Sequence, residues 1–155
     1  MTFSSIKIRK AELSDMNKMV SLLKELFSKE EDFTFNETIQ RSGLTMMLGD
    51  NEKRCIVVAI SVEQVIGMCS AQLIVSTAEG GMVALVEDMV ITKSYRGQGI
   101  GKKLLLSIEN WTDKRGTKRL QLLADKNNFS ALGFYKKQKW TTTQLICLHK
   151  KQERG

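Results

Sequence analysis

The chain has no proline, a single histidine, and only 6% aromatic residues among its 155. No repeat, low-complexity linker or proline-rich hinge breaks an apolar pattern running from Ile6 to Leu148, so residues 1–155 read as one domain. The shortage of aromatics argues against a single-stranded nucleic-acid module, which needs stacking platforms, and no RNP-like segment replaces them. Cys55, Cys69 and Cys147 are odd in number, sit among apolar neighbours, and lack CxxC or Cys/His spacing. That argues against a disulfide framework and a metal site, and predicts buried free thiols in a reducing compartment. No run approaches the about 20 apolar residues that span a bilayer. The opening MTFSSIKIRK lacks an apolar core of the signal-peptide kind, so the expected location is the cytoplasm, with no membrane partner. The lone His149 lies among lysines near the end of the chain and reads as structural or solvated rather than catalytic.

What is present is a basic chain with enough apolar residues for one core: 42% apolar, a net charge of +7 and a pI near 9.4. The charge favours acidic partners without choosing among them. Ile6 and Ile8 alternate with polar residues as a first strand, and Ser14 is placed to cap a helix whose apolar face is Met16, Met19, Val20, Leu23 and Phe27. A second helix follows from Asn36 to about Leu48. "RCIVVAIS", "VIGMCSAQLIVS" and "MVALVEDMVI" are β-rich, with turns around Glu63 to Gln64 and Glu79 to Gly81, and predict an antiparallel meander. A helix carrying Leu104, Leu105, Ile108 and Trp111 is stopped by Gly116. "RLQLLA" reads as a strand, Asn128 caps a helix through Gln138, and "TTTQLICLH" reads as a last strand. The order βααβββαβαβ defines an α/β chain in which residues 82–124 form a strand–helix–strand crossover with parallel strands.

The stretch "VEDMVITKSYRGQGIGKKLL" holds the strongest chemical signal. A helix N-terminus carries about half a positive charge and attracts carboxylates. Here Arg96, Lys102 and Lys103 surround it instead. The P-loop pattern GxxxxGK[ST] fails, because Arg96 stands where its first glycine belongs and Lys103 where its Ser/Thr belongs. The dinucleotide pattern GxGxxG fails at Lys102. What remains is Arg96-x-x-Gly99-x-Gly101 between a strand and a helix. Its glycines allow close backbone approach, and its N–H groups suit a pyrophosphate; a tight turn without a ligand is the plain alternative.

RxxGxG in this setting resembles the acetyl-CoA signature of the GNAT acetyltransferase superfamily. "NNFSALGFYKKQKW" resembles that family's NxxAxxFYxxxGF segment through Asn128, Ala131, Phe134, Tyr135 and Trp140, with Lys139 where the family usually has glycine. The resemblance covers nearly the whole element order and implies a mixed central sheet of about six strands flanked by about four helices. It implies acetyl-CoA as co-substrate and an amine acceptor; separately, a monomer or homodimer is expected, with no nucleic-acid partner. It further implies that the strand carrying Met89, Val90 and Ile91 pairs with the pantetheine arm, and that the loop Arg96, Gly97, Gln98, Gly99, Ile100, Gly101 and Lys102 holds the pyrophosphate. Asn128 would then lie by the arm and Tyr135 by the sulfur.

Amine acetylation needs a proton acceptor. An amine of pKa near 10.4 is neutral in only about one part in 10³ to 10⁴ at pH 7, worth roughly 4 to 5 kcal/mol. Glu87 and Asp88 interrupt an apolar strand, where an uncompensated carboxylate is costly. Strict alternation would turn at most one of them toward a given cleft. Glu87 is favoured, because the "VED" run is similar to the "LED" run of polyamine acetyltransferases, with both carboxylates facing solvent as the alternative. Tyr135 is the expected proton donor to the departing thiolate, with a half-buried helix tyrosine of no chemical role as the alternative. Glu30, Glu31, Asp32 and Glu37, within "SKEEDFTFNE", are candidates for attracting a cationic amine such as a polyamine, an aminoglycoside or a protein amino group; a solvated loop is the alternative. Two other classes stay open: an acyl-CoA sensor without turnover, and a basic nucleic-acid module.

Overall fold

The structure, a computed structural model, describes residues 5–30 and 32–153, so Glu31 lies outside it. The chain divides into two compact units, residues 1–122 and 123–155. The described residues are mixed α/β, with five strands and four α-helices among them.

In the first unit, β1 (Lys7–Lys10), β2 (Arg54–Ser61), β3 (Gln64–Ser76) and β4 (Gly81–Ile91) form the expected antiparallel meander. β5 (Leu120–Leu122) joins parallel to β4, giving the order β1-β2-β3-β4-β5. The parallel step is the crossover through α3 (Ile100–Asp113). The β2–β3 turn consists of Val62 and Glu63, both at positive φ (46° and 59°), one residue earlier than the sequence suggested. Two consecutive positive φ values characterise the two-residue hairpin whose twist matches its strands.

One face of the sheet buries Ile56, Val58, Met68 and Val90 against Met19, Val20, Leu22 and Leu23 of α1 (Met16–Phe27) and Leu44 of α2 (Glu37–Leu48). The other face takes Leu104, Leu105 and Ile108 of α3, all buried. α3 comes so close that a Cβ on Gly67 would meet Leu104 Cδ1 at 3.4 Å and the Val90 carbonyl at 3.3 Å. Leu104→Ala should therefore lower stability by about 2–5 kcal/mol, read as a shift in the urea-unfolding midpoint.

Asn36 caps α2 as expected, its side chain accepting from the Ile39 N–H at 3.2 Å, while Gln40 accepts from the Asn36 N–H at 2.6 Å. Ser14 does not cap α1. A 3-10 turn, Leu13–Asp15, leads into the helix, and the buried Asp15 carboxylate accepts from the Glu12 N–H at 2.8 Å. Arg9 grips the same carboxylate at 2.7 and 3.0 Å, which holds its pKa below the usual range. Asp15 is the N-cap residue of α1, but its carboxylate is taken up by Arg9 and the Glu12 N–H and makes no cap hydrogen bond to the helix.

The second unit contains α4 (Phe129–Lys137), capped by Asn128, whose Oδ1 accepts from the Ala131 N–H at 3.1 Å. The helix ends with Trp140 N–H donating to the Tyr135 carbonyl and Lys139 N–H to the Lys136 carbonyl, a Schellman ending that puts Lys139 at φ 70°. The family's usual glycine suits that left-handed position; a lysine there carries conformational strain.

The expected sixth strand does not form. Residues 141–149 pair with no strand among the described residues, and Leu145, Ile146 and Leu148 are 87%, 81% and 85% exposed. β-rich composition does not make a strand without a ladder to join. Cys147 is exposed rather than buried for the same reason, while Cys55 and Cys69 are buried free thiols as expected. "RLQLLA" contributes only its central residues, as β5.

Candidate active site

The ladder between β3 and β4 slips near the middle of both strands. Met68 pairs with Val90 but Ser70 pairs with Glu87, so β4 spends three residues where β3 spends two. The extra residue forms a bulge, and Asp88 occupies it at φ 54°. Aspartate tolerates this left-handed region better than most residues, though at some cost. The expectation that only one of Glu87 and Asp88 faces a given cleft is therefore overturned. The bulge breaks the alternation, and both line one cavity of about 350 Å³.

That cavity lies between α1, α2 and the sheet. Leu23, Phe27, Ile39 and Met47 supply apolar wall; Ser70, Gln72, Glu87 and Asp88 supply polar groups from β3 and β4; Arg54 supplies a cation from β2. Glu87 is exposed and Asp88 half-buried. The Ser70 hydroxyl donates to Asp88 Oδ2 at 3.3 Å and lies 3.1 Å from the Glu87 carbonyl. Burial raises the Asp88 pKa from 3.8 to about 6, with Glu87 and then Glu30 adding repulsion and Ser70 opposing the rise. Of the acidic residues flagged before β2, Glu30 thus acts on the site electrostatically, and Glu37 is paired with Arg41 at 3.6 Å. Behind the bulge, Cys69 is fully buried, and burial pushes its thiol pKa up.

At the far end of β4, pairing with β5 stops at Val86–Leu122. Residues 87–91, including Met89, Val90 and Ile91, therefore run on without a β5 partner among the described residues. Beyond a 3-10 turn, Lys93–Tyr95, Gly97 and Gly99 adopt φ 77° and 78°, and a Cβ on either would meet nothing within 4 Å. Gly99 is the N-cap of α3, so the helix's first N–H groups open onto this space. Ile100 and Gly101 are buried and offer backbone only, whereas Gln98 and Lys102 are exposed. Arg96 is less available than its position suggests: Nε donates to the Ile91 carbonyl at 2.9 Å and Nη2 to Glu25 at 2.9 Å. It braces the loop between β4 and α1. Open glycines at a helix N-terminus and an unpaired strand edge together fit a ligand with a diphosphate and an amide-bearing arm.

Tyr135 is half-buried in α4, its ring 5.2 Å from Phe134 and 5.9 Å from Trp140 by centroid. Sequence reasoning missed Arg54, Ser70 and Gln72, which gain meaning only from cross-strand register; a charged residue opening "RCIVVAIS" was the sole hint for Arg54. No group of three or more candidate metal ligands occurs among the described residues.

Residues 16–140 match the Acetyltransferase (GNAT) family, and the chain belongs to it. It is an N-acetyltransferase of that family by the same match. It is 24% identical over 135 residues to an uncharacterized N-acetyltransferase of Archaeoglobus fulgidus, covering 86% of this chain and 91% of that protein. The fold matches a possible acetyltransferase from Clostridium difficile 630 with a TM-score of 0.83 at 20% identity, over 96% of this chain and 99% of the other. It matches the aminoglycoside N-acetyltransferase AAC(6')-Iy, solved in complex with CoA, with a TM-score of 0.83 at 16% identity, over 97% of each chain.

Proposed function

We propose that this chain transfers the acetyl group of acetyl-CoA directly to a small primary amine, with Asp88 and Glu87 managing the amine and Tyr135 the leaving group. The observation that carries this reading is the bulge, which turns two adjacent carboxylates into one cavity beside an unpaired strand edge. Glu87, exposed, attracts the ammonium. Asp88, held by Ser70 and desolvated, accepts the proton, because a base with pKa about 6 remains ionised at neutral pH yet is a better acceptor than an ordinary aspartate. When bound, acetyl-CoA supplies the thioester: the amine nitrogen bonds to its carbonyl carbon as the C–S bond breaks. One ammonium proton passes to Asp88, which later releases it to solvent; the phenol of Tyr135 protonates the thiolate and is restored by the second proton that the nitrogen loses. Backbone N–H groups at Gly99 to Lys102 hold the pyrophosphate, and the free edge of residues 87–91 holds the arm. Asn128, in this reading, stays close to that arm.

The cavity of about 350 Å³ is at the small end of small-molecule sites, which limits how much of an acceptor it encloses. The buried free thiols Cys55 and Cys69 support a reducing compartment, the cytoplasm, as the place of action. The test is acetyl-CoA-dependent thiol release across a broad amine panel. Turnover separates an enzyme from an acyl-CoA sensor, and tight acetyl-CoA binding without turnover would sink the catalytic reading. Tyr135→Phe should leave acetyl-CoA affinity within a fewfold while kcat falls about 10- to 10³-fold. An equal loss of affinity would make the tyrosine a clamp rather than an acid.

A further inference from the structure

The cavity has a second pole. Arg54 lines it from the first position of β2, in register with Gln72 of β3, and Gln72 stands two residues along from Ser70, which pairs with Glu87. By that ladder the Cα atoms of Arg54 and Glu87 are two strand spacings apart and offset by two residues, on the order of 12 Å. Both side chains line the one cavity, so a small molecule inside it can meet both charges. Arg54 Nη1 donates to the Met46 carbonyl at 3.1 Å in the last turn of α2, which anchors the guanidinium at the cavity rim. Arg9, Arg41, Arg96 and Arg119 each have a carboxylate partner; among the described residues Arg54 and Arg115 have none, and of these two only Arg54 lines this cavity. The span between the poles is walled by Leu23, Phe27 and Met47.

We propose that the acceptor is an amine whose other end carries an anion: its ammonium sits at Glu87 and Asp88, its anionic group on Arg54, and a short apolar stem joins the two. This rests on the acetyl-transfer reading and deepens it. Charge complementarity along the cavity selects for such a molecule and against a polycation, whose second ammonium would meet the guanidinium. A carboxylate and a phosphate share the required chemistry, since a guanidinium forks to either.

The test uses the full chain and ω-substituted alkylamines with stems of three to six carbons, each stem ending in a carboxylate, a phosphate, a methyl group or a second amine. Thiol release from acetyl-CoA gives kcat/KM for each. Anion-ended amines should exceed methyl-ended ones by about tenfold or more, with diamines poorest. The order of carboxylate and phosphate identifies the anion. Arg54→Glu should invert the series in favour of diamines, and Arg54→Lys should keep the original order. If Arg54 only caps α2, its variants will lower the melting temperature and slow every amine alike, leaving the order intact, and the proposal fails. It fails equally if the parent prefers diamines, or if none of the series turns over. In that last case a broad panel distinguishes the causes: turnover of other amines spares the acetyltransferase reading, and silence sinks both.

Discussion

Asp88→Asn should give a protein that is less active and more stable than its parent. The activity argument is proton transfer: removing a positioned base lowers kcat/KM at pH 7 by about 10² to 10⁴. The stability argument runs through linkage. Burial raises the carboxyl's pKa from 3.8 to about 6, so the folded chain binds this proton more tightly than the unfolded one. Stability is then lost as pH rises from about 3.8 through about 6, and at neutral pH the full penalty stands, at most about 3 kcal/mol. Asparagine carries no charge, tolerates φ 54°, and can still accept from the Ser70 hydroxyl, so it removes the penalty and keeps the geometry. Thermal melts at pH 7 should rise by several degrees, and the gain should vanish near pH 4. The charged groups facing Asp88 are Glu87 and Glu30, with Arg54 on the same cavity. The parent's kcat/KM should therefore show an acid limb near pH 6 that the variant lacks. Glu87→Gln, by contrast, should raise KM more than it lowers kcat. Activity within threefold of the parent at pH 7 in Asp88→Asn would remove Asp88 as the base.

Gly99→Asp should abolish useful acetyl-CoA binding without unfolding the chain. A Cβ at Gly99 meets nothing within 4 Å, so space is not the issue, although φ 78° disfavours most side chains. Aspartate is among the residues that tolerate it, and a carboxylate at the N-cap of α3 interacts favourably with the helix end. The side chain would then occupy the anion site with a fixed negative charge. Two like charges about 4 Å apart near a protein surface repel by about 4 kcal/mol, which corresponds to roughly 10²- to 10³-fold in Kd. Gly99→Asn has the same shape without the charge and should cost tenfold or less. Calorimetry with coenzyme A at low and high salt checks both, and the gap between the variants should narrow as salt screens it. Equal affinities in Gly99→Asp and the parent would take the loop out of the site.

Most of the first unit was readable because its signals are local. Helical spacing placed α1 and α3, Asn36 announced its cap, and the glycines marked the strand-to-helix turn; in the second unit Asn128 announced its cap in the same way. What escaped was non-local. A bulge is one residue of mismatch between two strands, and nothing in "VEDMVI" alone reveals which partner residue is skipped; an aspartate amid apolar neighbours was the only trace. The Leu145–Leu148 run misled for the opposite reason, being β-rich without a strand to pair with among the described residues. Arg54 was unremarkable until the register set it across from Gln72.

Residues 87–91 of β4 pair with β3 on one side and, among the described residues, with no β5 residue on the other. An open strand edge invites pairing with stray chains, and proteins normally blunt such edges with charge or cover. If the donor's arm lies along this edge, the co-substrate acts as a sheet-completing strand that comes and goes with each turnover. Depletion of acetyl-CoA would then do more than idle the enzyme. It would leave the sheet unfinished and withdraw the mass-action stabilisation that a bound ligand confers, coupling the protein's resistance to aggregation and proteolysis to the supply of its own acetyl donor.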